Sequence, residues 1–288
     1  APADPYTVLE IDRNAPDELL TDPETDALEI EGLIEAWHGR EGRLWVALTP
    51  RFAPACSEAL LAAHAELRRR HPDVYVQTHL AESREEVAWA RELFPLDRDY
   101  LAVYERHGLV GPRTLLAHCI HLDEGMMRRL AEAGAAAVHC PTSNFFLGSG
   151  LAPLARLARA GARLAAGSDL GAGTSLSAWR TLAAAYEAGR LREEPAGPEA
   201  LFWLATLGGA EALGLGDRLG NFAPGKEADF QVIDWRRHPL LRERLTQADS
   251  ASEQLFALIA LGDERLTREV YIGGHEVFHS ESSGPDER

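Results

Sequence analysis

The sequence predicts an α/β fold, a partial (β/α) barrel followed by a small β appendage. Short apolar runs alternate with longer segments of helical spacing, and strands rich in Val, Ala and Leu are typical of a parallel sheet covered by helices. Six such units precede residue 175, and polar side chains stand where the strands end. A complete barrel has eight strands and about 250 residues, so we expect this chain to lack the first two strands of a (β/α)8 barrel.

The strands are predicted from apolar runs that end in polar or turn residues. They cover residues 7–11, 43–50, 74–80, 114–120, 135–141 and 163–169.

The helices between the strands carry their own start and stop signals. Ser57 and Ser83 stand at N-cap positions, where a serine side chain accepts a hydrogen bond from a helix amide. Gly134 and Gly161 follow two later helices, at the position where a left-handed residue ends a helix. Further helices are predicted over residues 177–189 and 198–213.

The last part of the chain changes character. Residues 220–235 indicate a turn followed by a strand, and residues 268–280 indicate a hairpin around Gly273 and Gly274. We therefore divide the chain into three parts. The predicted parts are a barrel with the catalytic site over residues 1–219, the C-terminal strands of a small β domain with a helix over residues 220–280, and a disordered tail over residues 281–288.

Composition limits the class of protein. The 288 residues include 29 Lys and Arg against 45 Asp and Glu, for a net charge of −16, which disfavours nucleic acid and anionic membranes as partners. The three cysteines, Cys56, Cys119 and Cys140, are too few for a disulfide framework. Since no apolar run approaches the roughly 18 residues of a membrane span, we expect a cytoplasmic enzyme that acts on a small molecule.

Polar residues at the predicted strand ends are the candidate site. His79 ends one strand and Glu82 follows it, a spacing that lets an imidazole bind a metal while a carboxylate reaches the bound water or substrate. His118 and Asp169 end two other strands, and strand ends of a barrel converge on one mouth. A structural role suffices for His79 and Glu82 taken alone. Together with His118 and Asp169, they favour a zinc or iron site.

Two further segments have a functional and a structural interpretation. Arg51 and Phe52 could hold a planar ligand through donors and stacking, but a surface arginine and a core phenylalanine are equally good explanations. Residues 139–150 are predicted to be an ordinary loop in which Phe145 and Phe146 cover the core. The sequence contains no G-x-S-x-G elbow and no C-x-x-C pair.

Several motifs together resemble the amidohydrolase superfamily, and within it the guanine deaminases. The resemblance runs from about Val8 to Phe278. The motifs are TPRFAP (49–54), QTHLAES (77–83), LLAHCIHL (115–122), HCPTSNFFLGSG (139–150), GSDLGAGTS (167–175), LATLGGAEALGL (204–215) and GNFAPGKEADFQVID (220–234).

The resemblance implies a (β/α)8 barrel with one zinc ion, iron being the alternative metal, and a small β-sandwich built from both chain ends. It also implies a homodimer that converts guanine to xanthine and ammonia in purine catabolism. By motif, His79 and Asp169 are the metal ligands in this chain. Glu82 moves a proton from the metal-bound water to the purine ring, and His118 orients that water, whose proton Asp169 also accepts.

The resemblance also implies a substrate pocket. Arg51 and Phe52 match the substrate-binding pair of the family, and His79, Glu82 and Asp169 face the substrate from the catalytic side.

One departure from the family concerns the metal. Family members carry a His-x-His motif that supplies two zinc ligands, and no His-x-His occurs in these 288 residues. With His79 and Asp169 alone we expect weak zinc binding, since catalytic zinc usually has three protein ligands. Turnover by this chain is left open. The alternatives are another amidohydrolase acting on an aminopurine or a chlorotriazine, and a non-catalytic scaffold.

Overall fold

The computed structural model describes residues 10–280 and divides into two compact units. The first unit comprises Ala1–Val138 and Ala152–Arg163, and the second comprises His139–Leu151 and Leu164–Arg288. The tail predicted over residues 281–288 and the start of the strand predicted over residues 7–11 lie outside the described residues.

The first unit is built on parallel strands that run in the order β1-β2-β3-β4. They are β1 (Ala47–Leu48), β2 (Tyr75–Leu80), β3 (Thr114–His118) and β4 (Ala136–His139). β1 is shorter than predicted, and before it Glu10 pairs with Pro50 in the parallel sense. The order confirms the predicted parallel sheet, in which each strand follows its neighbour through a helical crossover.

The start and stop signals predicted at Ser57, Ser83 and Gly134 are present in the first unit, which also contains two helices that the sequence analysis did not predict, over residues 23–37 and 100–106. The side chain of Ser57 accepts a hydrogen bond from the Leu60 amide, and Ser83 forms a capping box with Glu86. Gly134, at φ +71°, follows the helix after β3. The helices of this unit are α1 (Pro23–Trp37), α2 (Glu58–Arg70), α3 (Arg84–Leu93), α4 (Tyr100–Arg106), α5 (Glu124–Glu132) and α7 (Leu154–Arg159). Helix α6 (Pro141–Leu147) comes between α5 and α7 in the sequence but belongs to the second unit.

A buried contact between an imidazole and a carboxyl group ties the start of the described chain to α2. His64 lies on the apolar face of α2, and its ring contacts the carboxyl group of Glu10 while both side chains are almost fully buried. Removing one partner would leave the other buried polar group uncompensated, which is costly. The pair therefore holds the segment before β1 against the helix.

The second unit holds the end of the parallel strands and a separate antiparallel sheet. The amide of Gly167, just after β5 (Arg163–Ala166), donates to the carbonyl of His139 at 2.9 Å, so the ends of β4 and β5 are neighbours. β6 (Phe230–Ile233), β7 (Thr267–Ile272) and β8 (His275–His279) form the antiparallel sheet in sequence order. The β7–β8 turn confirms the hairpin predicted around Gly273 and Gly274.

Two predictions for the second unit were wrong. Residues 139–150 contain helix α6, because Pro141 at its first position presets a helical φ and Gly148, at φ +71°, ends it. Phe145 and Phe146 do not cover the core, since Phe146 is 67% exposed. The helix predicted over residues 198–213 is split at Thr206, which has non-helical dihedral angles. The helices are α8 (Ala178–Leu191), α9 (Pro198–Leu204), α10 (Leu207–Ala212), α11 (Pro239–Thr246) and α12 (Ala251–Leu261).

Within residues 10–280, every helix is too short or too polar to cross a lipid bilayer.

Candidate functional site

Two imidazoles lie side by side at the carboxyl ends of β2 and β3. The strands pair in parallel with Leu80 opposite His118. The ring centroids of His79 and His118 are 5.1 Å apart, and the rings are stacked with an interplanar angle of 25°. The His118 side chain is 1% exposed, whereas His79 is only half-buried. Sequence position alone predicted that these two residues would meet at one edge of the sheet.

The tautomer of His79 follows from a backbone contact. Its Nδ1 lies 2.6 Å from the carbonyl oxygen of Arg51, and the His79 amide donates to the same oxygen at 3.3 Å. A carbonyl oxygen can only accept, so Nδ1 carries the proton and the ring's lone pair resides on Nε2. An imidazole held in this way by a backbone carbonyl has the arrangement found in metal-binding histidines.

A buried tyrosine supports the backbone of His79. The hydroxyl of Tyr104 donates to the His79 carbonyl at 2.9 Å and accepts from the Ala53 amide at 2.8 Å. The hydroxyl of Thr78 lies 3.1 Å from it. Burial raises the pKa of Tyr104, so its hydroxyl stays protonated and remains a donor. Sequence analysis missed Tyr104, because α4 carries no local signal that directs this side chain toward β2.

Glu82 stands beside His118. Its Oε2 lies 3.7 Å from Nε2 of His118, and its side chain is 18% exposed. The distance is longer than a direct hydrogen bond, and the exposure leaves the carboxylate accessible to a small molecule. Glu82 and His118 are therefore close enough for one small molecule to contact both side chains.

The backbone at these strand ends adopts an uncommon conformation. Ala81, His118, Cys119 and Asp169 have φ values of +52°, +69°, +51° and +47°. A left-handed conformation costs a residue other than glycine about 1–3 kcal/mol and persists only where the surroundings enforce it. The Cys119 amide donates to the Leu80 carbonyl at 3.0 Å, which fixes the turn after β3 to the end of β2. Such strain is concentrated at functional sites.

Phe52 lies between the rings of His79 and Trp89 and is not fully buried. Its ring is 6.4 Å from the His79 ring at an angle of 60°, and 6.0 Å from the Trp89 ring at 65°, both edge-to-face contacts. Phe52 is half-buried, and the Arg51 side chain is exposed. Half-burial shows that Phe52 does not occupy a fully buried core position, which was the alternative explanation for this residue.

Asp169 lies in the second unit, in a tight turn after β5. The Gly173 amide donates to the Asp169 carbonyl at 2.5 Å, and Thr142 donates to the Ser168 carbonyl at 3.4 Å. Gly173 has no room for a side chain, since a Cβ there would lie 1.7 Å from the Ser168 oxygen. A glycine at position 173 is therefore required for the turn that carries Asp169.

The candidate residues offer the donors that a borderline metal ion prefers. His79 and His118 supply imidazole nitrogens, and Asp169 supplies carboxylate oxygens. Zinc and iron bind both ligand types.

The chain is similar to known proteins over nearly its whole length. It matches the amidohydrolase family over residues 5–277. It is 42% identical over 268 residues to a guanine deaminase of Escherichia coli (strain K12), covering 93% of this chain and 61% of that protein. It is 43% identical over 274 residues to a probable guanine deaminase of Deinococcus radiodurans, covering 94% of this chain and 62% of that protein. The chain thus spans about three fifths of the length of these curated relatives.

Solved structures agree with the sequence matches. The structure of E. coli guanine deaminase has a TM-score of 0.93 at 41% identity, covering 95% of this chain and 64% of that one. A guanine deaminase from C. acetobutylicum with bound guanine has a TM-score of 0.85 at 30% identity, covering 94% and 64%. An adenosine deaminase from Xanthomonas campestris with bound zinc has a TM-score of 0.79 at 27% identity, covering 93% and 59%. These matches confirm the predicted barrel fold.

Proposed function

Because the chain belongs to the amidohydrolase family, we propose that the protein hydrolyses guanine to xanthine and ammonia. The observation that carries this proposal is the arrangement of His79, His118 and Glu82 at the ends of two adjacent parallel strands. The guanine deaminases among its relatives give the substrate, and one of them was solved with guanine bound.

We propose that one zinc ion is held by Nε2 of His79 and the carboxylate of Asp169, with iron as the alternative metal. Amidohydrolases are typically metal-dependent, and the hydrogen bond from Nδ1 to the Arg51 carbonyl leaves the lone pair of His79 on the nitrogen that a metal needs. A bound zinc ion supplies a Lewis acid and a water whose pKa falls towards about 7.

The protein groups then divide the proton transfers between them. Glu82 takes a proton from the attacking water and delivers it to a ring nitrogen of guanine, which makes the adjacent carbon a better electrophile. Asp169 accepts the second proton of that water and passes it to the departing amino nitrogen. His118 donates a hydrogen bond to the oxygen that becomes the new carbonyl, and the former amino group leaves as ammonia.

Arg51 and Phe52 are proposed to hold the purine. The guanidinium of Arg51 offers planar donors to the acceptor atoms of guanine, and the ring of Phe52 provides an apolar contact for its face. Support comes from the position of Phe52 beside the ring of His79.

We also propose that the protein is cytoplasmic, as its composition and cysteine count suggest, and that it is a homodimer, as the family resemblance implies. Sedimentation equilibrium of the purified protein measures this directly, and a monomer would contradict it.

The test is an assay for ammonia and xanthine with guanine as substrate. The protein is expressed with any residues that its gene encodes before Ala1 and is supplied with zinc. We expect guanine to be deaminated, and Glu82→Gln to abolish turnover while the fold is retained, since glutamine cannot carry the proton. Equal activity of the variant and the wild type would contradict the role of Glu82. Turnover of another aminopurine or a chlorotriazine in place of guanine would establish a different amidohydrolase, and absence of any turnover would favour a scaffold.

A further inference from the structure

We propose that Glu86 is a positioning residue that fixes the backbone of Glu82, the acid–base group of the proposed deamination. This inference rests on the proposed function, because Glu82 matters to catalysis only if that reaction takes place. Glu86 itself lies one helical turn away on α3 and is assigned no contact with the substrate.

The carboxylate of Glu86 does more than cap its own helix. In a capping box, a glutamate at the third helical position accepts from the amide of the N-cap residue, which is Ser83 in α3. Oε2 of Glu86 accepts from the Ser83 amide at 3.3 Å, but also from the Glu82 amide at 3.0 Å. The shorter of the two bonds fixes the amide of Glu82, the residue before the N-cap, and a capping box does not require this bond.

The same loop is held from its other side. The carbonyl of Ala81 accepts from the amides of Ile120 and His121 at 3.2 and 3.0 Å. Ala81 has a φ of +52°, a conformation that needs such enforcement. The peptide group before Glu82 is therefore held at both ends, its carbonyl by the turn after β3 and its amide by Glu86, and the peptide group after Glu82 is held by the bond from the Ser83 amide to Glu86.

The burial of Glu86 is a second observation that capping does not explain. Glu86 is 9% exposed although a solvent-exposed glutamate could cap α3 equally well. Burial raises the pKa of Glu86, because removing the carboxylate from water destabilises its charged form. The buried Tyr100 is its neighbour, and the Tyr100 hydroxyl lies near enough to the Glu86 carboxylate for an electrostatic interaction. In the described part of the chain, neither the Tyr100 hydroxyl nor Oε1 of Glu86 forms a hydrogen bond within 3.5 Å.

Tyr100 connects this group to the other half of the site. Its ring lies 5.7 Å from that of Tyr104, and Tyr104 donates to the carbonyl of His79. The backbones of Glu82 and His79 are thus supported by neighbouring buried side chains, Glu86 with Tyr100 on one side and Tyr104 on the other.

The experiment compares four variants of the protein that deaminates guanine. Glu86→Ala removes the acceptor, and we expect kcat to fall about 10- to 100-fold, since small displacements of a catalytic group have effects of this size. KM should stay within about 2-fold, because no substrate contact is lost. Glu86→Gln keeps an oxygen that accepts from both amides, and we expect it to retain kcat within about 3-fold.

Two controls separate positioning from stability. Glu85→Ala removes the same charge from an exposed position in the same helical turn, and its kcat should equal that of the wild type. Ser83→Ala removes the N-cap but leaves the bond from the Glu82 amide to Glu86. It should lower the melting temperature without lowering kcat.

The outcomes are distinct. A wild-type protein that releases no ammonia from guanine overturns the proposed function, and the role of Glu86 with it. An active wild type in which Glu86→Ala matches Glu85→Ala overturns the role of Glu86 alone. So does a loss of kcat in Glu86→Ala that Glu86→Gln fails to restore while circular dichroism shows both variants folded.

Discussion

The hydroxyl of Tyr104 donates a 2.9 Å hydrogen bond to the carbonyl of His79, although the two residues are 25 positions apart in the chain. The same hydroxyl accepts from the Ala53 amide, which follows Arg51 and Phe52. One buried side chain thus joins the strand end that carries the proposed metal ligand to the segment that carries the proposed purine-binding pair. The relative placement of these two segments therefore depends on α4, the helix that carries Tyr104.

Tyr104→Phe is expected to destabilise the first unit. It leaves the buried Ala53 amide without its acceptor and takes away the donor to His79, so the free energy of unfolding should fall by about 1–3 kcal/mol. Urea denaturation followed by circular dichroism measures the change. Tyr271→Phe removes a hydroxyl that contacts Glu269 and Glu276 near the surface, and its effect should stay within about 0.5 kcal/mol. Equal effects of the two variants would argue against the support of His79 by Tyr104.

His79→Ala is expected to weaken zinc binding. Loss of a direct ligand should raise the Kd by more than about 100-fold, because even changes to the partners of ligands cost 10- to 100-fold. Competition with a chromophoric chelator measures the Kd without reference to activity. His107→Ala is the control, since His107 pairs with Glu58 at 3.1 Å on α2 and should leave the Kd unchanged. Unaltered zinc affinity in His79→Ala would remove this residue from the ligand set.

Arg51→Ala is expected to raise the KM for guanine. A hydrogen bond to a charged donor contributes about 1.5–3 kcal/mol, so the loss corresponds to roughly a 10- to 150-fold increase. Steady-state kinetics provide the value, and Arg91→Ala serves as a control because Arg91 is an exposed arginine on α3. Arg51→Lys should recover little, since an ammonium does not reproduce the planar donors of the guanidinium. A KM that does not change in Arg51→Ala would leave Arg51 with the surface role that its exposure also permits.

Asp26 is expected to make stability depend on pH. Burial raises the pKa of Asp26 above its ordinary value of 3.8, against the effects of a hydrogen bond from Thr21 and of the nearby His64. The folded chain then keeps a proton that the unfolded chain has released. The stabilisation that the protonated Asp26 contributes to the folded chain is complete below about pH 3.8 and is lost as the pH rises through the raised pKa of Asp26.

Asp26→Asn should remove this dependence while keeping an oxygen that accepts from Thr21. The stability of Asp26→Asn relative to the wild type should therefore rise with pH from about 3.8 and then become constant. Denaturation by urea between about pH 4 and 8 tests this. Asp22→Asn should show the opposite trend below about pH 4, when denaturation is extended to about pH 2, because hydrogen bonds from Thr25 lower the pKa of Asp22 from 3.8. A difference between Asp26→Asn and the wild type that is the same at every pH would contradict the prediction.

Predictions from local signals were accurate. A helix cap depends on residues that are three or four positions apart, so both partners of the hydrogen bond can be recognised within one short stretch of sequence. This holds for the N-caps at Ser57 and Ser83 and for the helix end at Gly134. The strand ends at His79 and His118 followed from apolar runs of a few residues. The error at residues 139–150 has the same origin, because the proline start and glycine end of α6 resemble turn signals when the helix between them is only two turns long.

The sequence by itself determined the parallel strands, their polar ends and the family resemblance, since alternation and short-range spacing are properties of consecutive residues. Only the tertiary structure decided which nitrogen of His79 bears the proton, because the Arg51 carbonyl that fixes it is 28 positions away. The support of His79 by Tyr104 and the edge-to-face contact of Phe52 with Trp89 depend likewise on folding. These contacts join distant segments, and their geometry exists only after the sheet has brought the strand ends together.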